Sequence, residues 1–287
     1  MKVIGLVSPG EMGASIGAAA IISAAANISA AANGSDTKVV WAGDGRSESS
    51  HQRANRAGII DCGSLEEMIA ESTVILSVCP PHNAESVAQS VMQCSFSGLF
   101  VDCNAIAPQK CRQIESLIGP DHFVDGGIIG GPAWSHGAGT CLYLSGEHSA
   151  RISELFTDSP LQKKIISDAI GAASAMKMVF AAYTKGSTAL LTAILGVAER
   201  EGVREVLENQ WGPVFTAQTH HRLVSNSSKA WRFAGEMQEI AATFDNAGLP
   251  GGFHSAAAEV FEQLKSFKDA PATDITDYLN ELNNSND

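Results

Sequence analysis

Short apolar runs alternate with segments of helical character in the first half of the chain. Both kinds of segment have the lengths and spacings expected of strands and helices. The predicted strands are Val3–Val7, Lys38–Ala42, Val74–Val78, Leu99–Cys103, Phe123–Asp125 and Cys141–Ser145. The predicted helices between them are Leu65–Ala70, His82–Met92 and Pro108–Ile118. This βαβ alternation predicts a parallel sheet covered on both faces, with ligands at the carboxyl ends of the strands.

The pattern changes near Gly171, after which strand signals become rare. Breaks at Gly212-Pro213 and around Gly248 and Pro250 separate the helical segments there. The predicted helices are Ala172–Arg200, Val203–Asn209, Ser227–Asn246, Gly252–Ser266 and Thr273–Asn283. We therefore predict an α/β protein, with an N-terminal Rossmann doubly wound sheet over residues 1–168 and an all-α domain over residues 169–287.

The first predicted strand leads into a turn that suits a phosphate. The run SPGEMG begins at Ser8, and a helix rich in small residues follows it. A helix N-terminus offers free backbone N–H groups and the positive end of the helix dipole. Gly10 would let the backbone approach a pyrophosphate, and Gly13 would let the helix lie close on the strand. Ser8 replaces the first glycine of G-x-G-x-x-G, so an ordinary strand–loop–helix remains an alternative.

Charge and cysteine usage narrow the classes of partner. The net charge of −12 over 287 residues argues against nucleic acid or an anionic membrane as the main partner. No apolar stretch is judged long enough to span a bilayer, and no basic leader precedes the first strand. The six cysteines lack metal-type spacing. We expect reduced core thiols in a cytoplasmic protein.

The residues after the second predicted strand bear on the choice between NAD and NADP. An acidic side chain there accepts hydrogen bonds from free ribose hydroxyls, whereas arginine with a hydroxyl binds the extra phosphate of NADP. Asp44 supports NAD, and Arg46 with Ser47, Ser49 and Arg53 supports NADP. We favour NADP(H) over NAD(H). The alternative is a solvated turn in which Asp44 caps the next helix.

Five segments in order along the chain resemble the β-hydroxyacid dehydrogenases, which are similar to the first two domains of 6-phosphogluconate dehydrogenase. They are GLVSPGEMG from Gly5, SVCP from Ser77, VDCNAIAP from Val101, DGGIIGG from Asp125 and GAASAMK from Gly171. The resemblance implies a nicotinamide cofactor and a catalytic lysine at Lys177. It also implies that Asn104 lies beside the nicotinamide ribose. The residues expected to bind the cofactor are Ser8, Pro9, Gly10, Glu11, Met12, Asp44, Arg46, Ser47, Val78, Cys79, Pro80 and Asn104.

Three departures from the family pattern argue against a plain 3-hydroxyisobutyrate dehydrogenase or glyoxylate reductase. Ile129 stands where the family has a substrate-binding serine, and Ala181 replaces an asparagine one turn after the lysine. Glu236-Met237 stands where a Lys-Asp pair helps to grip a carboxylate. The C-terminal half therefore resembles an uncharacterised branch of the superfamily.

Oxidising an alcohol beside a nicotinamide requires a base, and the reverse reaction requires an acid. Lys177 lies among small apolar residues, where burial favours the uncharged amine of a lysine. Its alternative is a lysine that snorkels to solvent. Gly130 and Gly131 would offer backbone N–H groups to the substrate, or form a simple turn between strands. Asp125 is expected to support that loop.

Two C-terminal residues complete the predicted substrate site. Lys185, two turns after Lys177, could anchor a substrate, and Trp231 could wall an apolar pocket or serve packing alone. His220, His221 and His254 lack ligand spacing, so we expect no metal.

The sequence as a whole predicts an NADP(H)-preferring oxidoreductase that acts on a small alcohol/carbonyl pair, with Lys177 as proton relay. The substrate is expected to be a β-hydroxy acid or a related compound. The alternatives are an imine reductase and a non-catalytic NADP(H)-binding sensor. The Ala- and Leu-rich helix around Leu190 suggests burial by a second subunit, so we expect a homodimer.

Overall fold

The computed structural model describes residues 2–30 and 37–284. The chain divides into two compact units, Met1–Lys177 and Met178–Asp287, and the boundary falls inside one long helix. The strands are β1 (Lys2–Leu6), β2 (Thr37–Trp41), β3 (Ile60–Asp61), β4 (Val74–Ser77), β5 (Leu99–Asp102), β6 (Phe123–Ile129), β7 (Cys141–Ser145) and β8 (Gln162–Ser167).

These strands form one sheet in the order β3-β2-β1-β4-β5-β6-β7-β8. Strands β1 to β6 are parallel, β7 is antiparallel to β6, and β8 is parallel to β7. The strand order reverses between β1 and β4, and doubly wound sheets bind ligands outside the carboxyl ends of the strands at such a point. The predicted Rossmann sheet is confirmed.

Helices cover both faces of the sheet in the first unit. They are α1 (Glu11–Ala30), α2 (Glu48–Ala57), α3 (Leu65–Glu71), α4 (Ala84–Gln93), α5 (Pro108–Ile118) and α6 (Ser149–Ser153). Successive side chains of a strand point to opposite faces. Ile4 therefore packs in a core with α1 and α2, whereas Val3 packs in a second core with α3, α4 and α5. Because both faces of the sheet are buried, successive side chains are all apolar and the strands read as continuous apolar runs.

Helices make up the rest of the described chain. They are α7 (Ala172–Arg200), α8 (Arg204–Trp211), α9 (Pro213–Asn226), α10 (Ala230–Asn246), α11 (Gly252–Glu262) and α12 (Ile275–Asn284). In the second unit, the ring of Phe233 on α10 lies 5.3 Å from that of Phe261 on α11. The buried Tyr278 hydroxyl on α12 lies 3.0 Å from Thr192 Oγ1 on α7. The predicted all-α C-terminal part is confirmed.

The sequence patterns missed β3, β8, α2, α6 and α9, and ended β6 four residues too early. Strand β8 carries Lys163 and Lys164 and is largely exposed at the sheet edge, so it has no apolar run. Helix α9 buries only Thr219 and Leu223 among polar neighbours. Strand β6 continues through Gly126 and Gly127, which read as loop residues in the sequence.

Helix α7 contradicts the expectation that no apolar stretch is long enough to span a bilayer. Its 29 residues are long and apolar enough to cross a membrane by length and composition, although lysines interrupt the run. Such a helix is equally typical of a protein core, and 39% of its most apolar window is buried. Thr188 on α7 accepts a hydrogen bond from Arg222 Nε on α9 at 2.8 Å, a polar contact within the second unit.

Candidate functional site

The turn between β1 and α1 has the close packing that the sequence predicted. A Cβ atom on Gly13 would lie 2.3 Å from the carbonyl oxygen of Ser8, so only glycine allows α1 to start this close to the strand. A Cβ atom on Gly10 would meet no atom within 4 Å. Gly10 and Glu11 are exposed, whereas Pro9 is buried and Met12 is partly so. The turn therefore presents an open backbone at a helix N-terminus.

The turn after β2 places the expected selectivity residues in solvent. Asp44, Arg46 and Ser47 are all exposed. Ser47 is the N-cap residue of α2, so the alternative in which Asp44 caps that helix is wrong. Arg53 on α2 donates from Nε to the carbonyl oxygen of Pro9 at 2.9 Å, which ties this turn to the turn after β1.

A buried hydrogen-bond network joins the ends of β4 and β5. Asn104 donates from Nδ2 to Ser77 Oγ at 3.0 Å and to Asp102 Oδ2 at 3.1 Å. Its Oδ1 accepts from the backbone N–H of Cys79 at 2.6 Å. Asn104 therefore braces the segment Val78–Pro80 from inside, and its predicted position beside a ribose stays a prediction. Ser77 begins one of the family-like segments, but its contact with Asn104 was not predicted, because it depends on which strands are neighbours in the sheet.

Burial controls the ionisation of two groups in this network. Desolvation is the main cause that raises the pKa of Asp102 to about 7, and the nearby Asp125 carboxylate adds to it. Backbone and side-chain hydrogen bonds from Asn104 act in the opposite direction. Desolvation also raises the pKa of the Cys79 thiol to about 12. Cys79 is therefore protonated at neutral pH and is not the nucleophilic thiolate.

The connection between β6 and β7 carries the glycines expected to meet substrate. Gly130 has φ +124°, and a Cβ atom there would lie 2.7 Å from Thr140 Cα. Thr140 Oγ1 donates to the carbonyl oxygen of Gly131 at 2.6 Å and fixes the loop. Gly131 itself faces open space. The segment is a turn between strands whose backbone is accessible at Gly131, and the role of these glycines toward a substrate stays a prediction.

Ser15 links this connection to the first turn, and the sequence analysis missed it. Its Oγ donates to the carbonyl oxygen of Met12 at 2.8 Å and accepts from the N–H of Ala133 at 3.0 Å. The hydroxyl is buried. One side chain therefore connects the turn between β1 and α1 to the segment between β6 and β7.

Lys177 lies on the first two turns of α7, against β6. Its Nζ donates to the carbonyl oxygen of Ile128 at 2.5 Å, and its side chain is partly buried. A Cβ atom on Gly127 would lie 2.5 Å from the carbonyl oxygen of Ala173 and 3.3 Å from Lys177 Cβ. Gly127 thus allows α7 to lie directly on the strand. The Lys177 ammonium therefore lies near the C-terminal end of β6, because the carbonyl group that it contacts is two residues before Gly130.

Asp125 contacts the start of α7 rather than the glycine loop that it was expected to support. The residue is fully buried on β6, and its carboxylate accepts hydrogen bonds from backbone and hydroxyl groups of the segment before Lys177. No local sequence pattern indicates this contact, because Asp125 and Ser174 are 49 residues apart along the chain.

The predicted substrate residues of the second unit lie in separate contacts. Lys185 on α7 forms an ion pair with Glu236 on α10, and each side chain is only 13% exposed. The Lys185 ammonium also lies 4.9 Å from the ring centroid of Phe233. Trp231 instead receives the ammonium of Lys268 at 4.7 Å from its ring centroid. Lys185 is therefore held by a carboxylate of its own unit, and its role toward a substrate stays a prediction.

Two histidines of the second unit, His220 and His254, contact a carboxylate and an aromatic ring, respectively. His220 Nε2 lies 2.8 Å from Glu208 Oε1, and the ring of His254 packs 4.3 Å from that of Phe244. Burial lowers the pKa of His254. Within residues 2–30 and 37–284, no group of three or more His, Cys, Asp or Glu side chains is arranged to hold a metal ion.

The first unit fits a dinucleotide by its own geometry. The open backbone at Gly10 begins a helix of 20 residues at the point where the strand order reverses. Exposed Arg46 and Ser47 lie in the turn after the neighbouring strand β2, and the braced segment Val78–Pro80 follows β4 on the other side of β1. The arrangement offers N–H groups and cationic side chains to phosphates.

A family model and a curated relative that match this chain carry no assigned function. Residues 195–264 match the model of a domain of unknown function, DUF1932. A curated relative from Methanothermus fervidus, described as an uncharacterized 28.5 kDa protein in the 7S RNA 5' region, is 26% identical over 200 residues. That match covers 68% of this chain and 77% of the relative.

Solved structures share the fold over nearly the whole chain. MTH1747, a conserved protein of unknown function described as structurally similar to 3-hydroxyacid dehydrogenases, is 27% identical with a TM-score of 0.62. The match covers 92% of this chain and 97% of that one. A 3-hydroxyisobutyrate dehydrogenase from Mycobacterium tuberculosis, solved with L-serine, is 17% identical with a TM-score of 0.65 and covers 98% and 99%. The resemblance predicted from the sequence is confirmed, and the chain has the fold of the 3-hydroxyacid dehydrogenases with a C-terminal helical part that matches DUF1932.

Proposed function

We propose that this chain is a nicotinamide-dependent oxidoreductase that prefers NADP(H), acts on a small alcohol/carbonyl pair and uses Lys177 for proton transfer. The observation that carries the proposal is the position of Lys177 Nζ, which donates to the Ile128 carbonyl oxygen beside the open backbone of Gly131. A substrate oxygen that replaced the Ile128 carbonyl as hydrogen-bond partner would meet an amine able to give or take its proton.

The cofactor, when bound, supplies the hydride chemistry, and the chain supplies binding and proton transfer. The α1 N-terminus and Gly10 bind the pyrophosphate. Arg46 and Ser47, both exposed, are available to a ribose phosphate, and this supports NADP(H) over NAD(H). Gly130 and Gly131 orient the substrate through backbone N–H groups, whose fixed direction favours developing negative charge.

The test is Lys177→Ala, compared with wild type and with Lys164→Ala, an exposed lysine on β8. Turnover is followed by the absorbance of reduced nicotinamide across hydroxy acids, amino alcohols and imines. Lys177→Ala should reduce kcat by roughly 10²- to 10⁴-fold, the usual contribution of general acid–base catalysis, and should retain cofactor binding. Lys164→Ala should match wild type.

Separate titrations with NADPH and NADH test the cofactor preference. Arg46→Ala should weaken NADPH binding by about tenfold or more and leave NADH binding nearly unchanged, because only NADP carries the extra phosphate. Activity with NADH alone would contradict the preference. NADPH binding without turnover of any substrate would favour the non-catalytic sensor, and activity confined to imines would favour the imine reductase.

We also propose that the chain works as a homodimer. Val179, Tyr183, Leu190 and Val197 fall on one face of α7 at helical spacing, and all four are exposed by 46% or more. Phe253, 52% exposed, lies against Gly186 of the same helix. An exposed apolar stripe of this length is typical of an interface, and a second copy of α7 would cover it.

A further inference from the structure

A buried polar cluster fixes the first turn of α7 to the sheet. Asp125 Oδ2 accepts from the N–H groups of Gly171 and Ser174, each at 3.0 Å, and from Ser145 Oγ at 2.8 Å. Its Oδ1 accepts from Ser174 Oγ at 2.7 Å. Ser145 Oγ in turn accepts from the N–H of Ala173 at 3.0 Å. The first free N–H groups of α7 are thus satisfied by β6 and β7.

The cluster is buried and leaves α7 little freedom. Asp125, Ser145 and Ser174 are each at most 1% exposed. A carboxylate at a helix N-terminus is favoured by the helix dipole, and hydrogen bonds that share a buried network reinforce one another. On the neighbouring helix α5, Arg112 donates from Nε to the carbonyl oxygen of Ile170 at 3.2 Å, just before the cluster.

The same strand holds α7 again at Lys177. Asp125 contacts the helix at Ser174, and the carbonyl oxygen of Ile128, three residues later on β6, accepts from Lys177 Nζ, three residues after Ser174. Gly127, between the two contacts, permits the close approach of the backbones. The position of the Lys177 amine therefore depends on the register that Asp125 sets between helix and strand.

We propose that Asp125, together with Ser145 and Ser174, is a positioning group for Lys177. This inference rests on the proposed role of Lys177 in proton transfer. The carboxylate does not touch substrate or cofactor; it fixes the helix that carries the amine. A small displacement of a reacting group can cost about 10²-fold in rate, so loss of the cluster lowers kcat while KM for the cofactor stays the same.

Asp125→Asn tests the proposal with a side chain of the same shape. Its amide nitrogen is a donor. It would face Ser174 Oγ in the place of Oδ1, or the N–H groups of Gly171 and Ser174 together with Ser145 Oγ in the place of Oδ2. The first readout is the rate of acetylation of each lysine, resolved by mass spectrometry. In Asp125→Asn we expect Lys177 to react several-fold faster relative to Lys164, because its bond to the Ile128 carbonyl is loosened. Where turnover is measurable, kcat should fall by about 10- to 100-fold with an unchanged KM for cofactor.

Val91→Ala is the matched control for lost stability. Val91 is fully buried on α4, in the core that faces away from α1, and makes no part of the cluster. It should lower the unfolding midpoint and leave the Lys177 to Lys164 ratio at the wild-type value. Ser174→Ala and Ser145→Ala each remove one hydroxyl and should raise the ratio less than Asp125→Asn, which keeps the test available if that variant does not fold.

A wild-type ratio in Asp125→Asn, or in both serine variants if Asp125→Asn does not fold, would overturn the positioning role. The labelling needs no substrate, so it is independent of the proposed activity. If Lys177→Ala keeps full turnover, the proposed function fails while the labelling still reports how Asp125 holds α7. If Lys177→Ala loses turnover but the cluster variants keep wild-type labelling and kcat, the positioning role alone is wrong.

Discussion

At the scale of single residues, burial decides which titratable groups are available for chemistry. Asp102 lies beside Asp125 on the neighbouring strand, and the two occupy paired positions in the sheet. Burial most strongly penalises the charged carboxylate of Asp102, and the nearby Asp125 carboxylate adds to that penalty. The raised pKa of Asp102 follows, and it gives the fold a dependence on pH that the sequence did not indicate.

Stability should fall between about pH 4 and pH 7 because of Asp102. The unfolded chain releases this proton near the ordinary aspartate pKa of about 4, whereas the folded chain keeps it up to a pKa of about 7. In that window the folded state binds more protons, so the free energy of unfolding decreases as pH rises, by on the order of a few kcal/mol. Asp102→Asn has no proton to lose and should remove this contribution to the slope.

Urea unfolding of wild type and Asp102→Asn at several pH values across that window measures the effect. The difference in unfolding free energy between the two proteins should change steadily with pH and level off above about pH 7. Parallel curves for the two proteins would mean that Asp102 is ionised normally in the folded state.

At the scale of elements, the sequence predicted the strands that are buried on both faces and missed the elements that bury few side chains. Strands β1, β4 and β5 are buried on both faces and read as apolar runs. Helix α9 and strand β8 bury few side chains, so no pattern marks them. The close packing at Gly13 and the position of Lys177 on a helix lie within local motifs, so both could be predicted. The contacts of Asp125, Ser15 and Asn104 depend on which strand ends meet, and a single sequence does not carry that information.

Two glycines at the start of α1 have different predicted roles. Gly13 allows close packing, and Gly10 is expected to allow a phosphate to approach. Gly13→Ala places a methyl group against the Ser8 carbonyl oxygen and should destabilise the fold by roughly 1–3 kcal/mol. Gly10→Ala points into open space and should leave stability nearly unchanged, but its methyl group should obstruct a pyrophosphate and weaken NADPH binding.

Thermal unfolding and NADPH titration of both variants check the two expectations. Each variant is the control for the other, because both add the same methyl group to the same turn. Equal NADPH affinity in Gly10→Ala and wild type would exclude this turn as the phosphate site.

At the scale of the whole molecule, the exposed stripe on α7 bears on assembly. Tyr183 is the most exposed of its four members, at 73%. Tyr183→Glu would place a charge in the proposed interface, where burying it without a partner is unfavourable.

Light scattering coupled to gel filtration should give wild type twice the 30.0 kDa of one chain. Tyr183→Glu should elute as a monomer with the helical content of wild type. Ser225→Glu, an exposed substitution on α9 outside the stripe, should remain dimeric. A monomeric wild-type protein at micromolar concentration would contradict the homodimer.

The two rims of the sheet limit how copies of this chain can meet. On one side, β3 has only two residues; on the other, β8 presents Lys163 and Lys164 along its length. The two residues of β3 offer too few backbone amides and carbonyls for a continuous ladder, and the lysines of β8 repel the same strand of a second copy. Strand addition by a second copy is thereby disfavoured at both edges of the sheet.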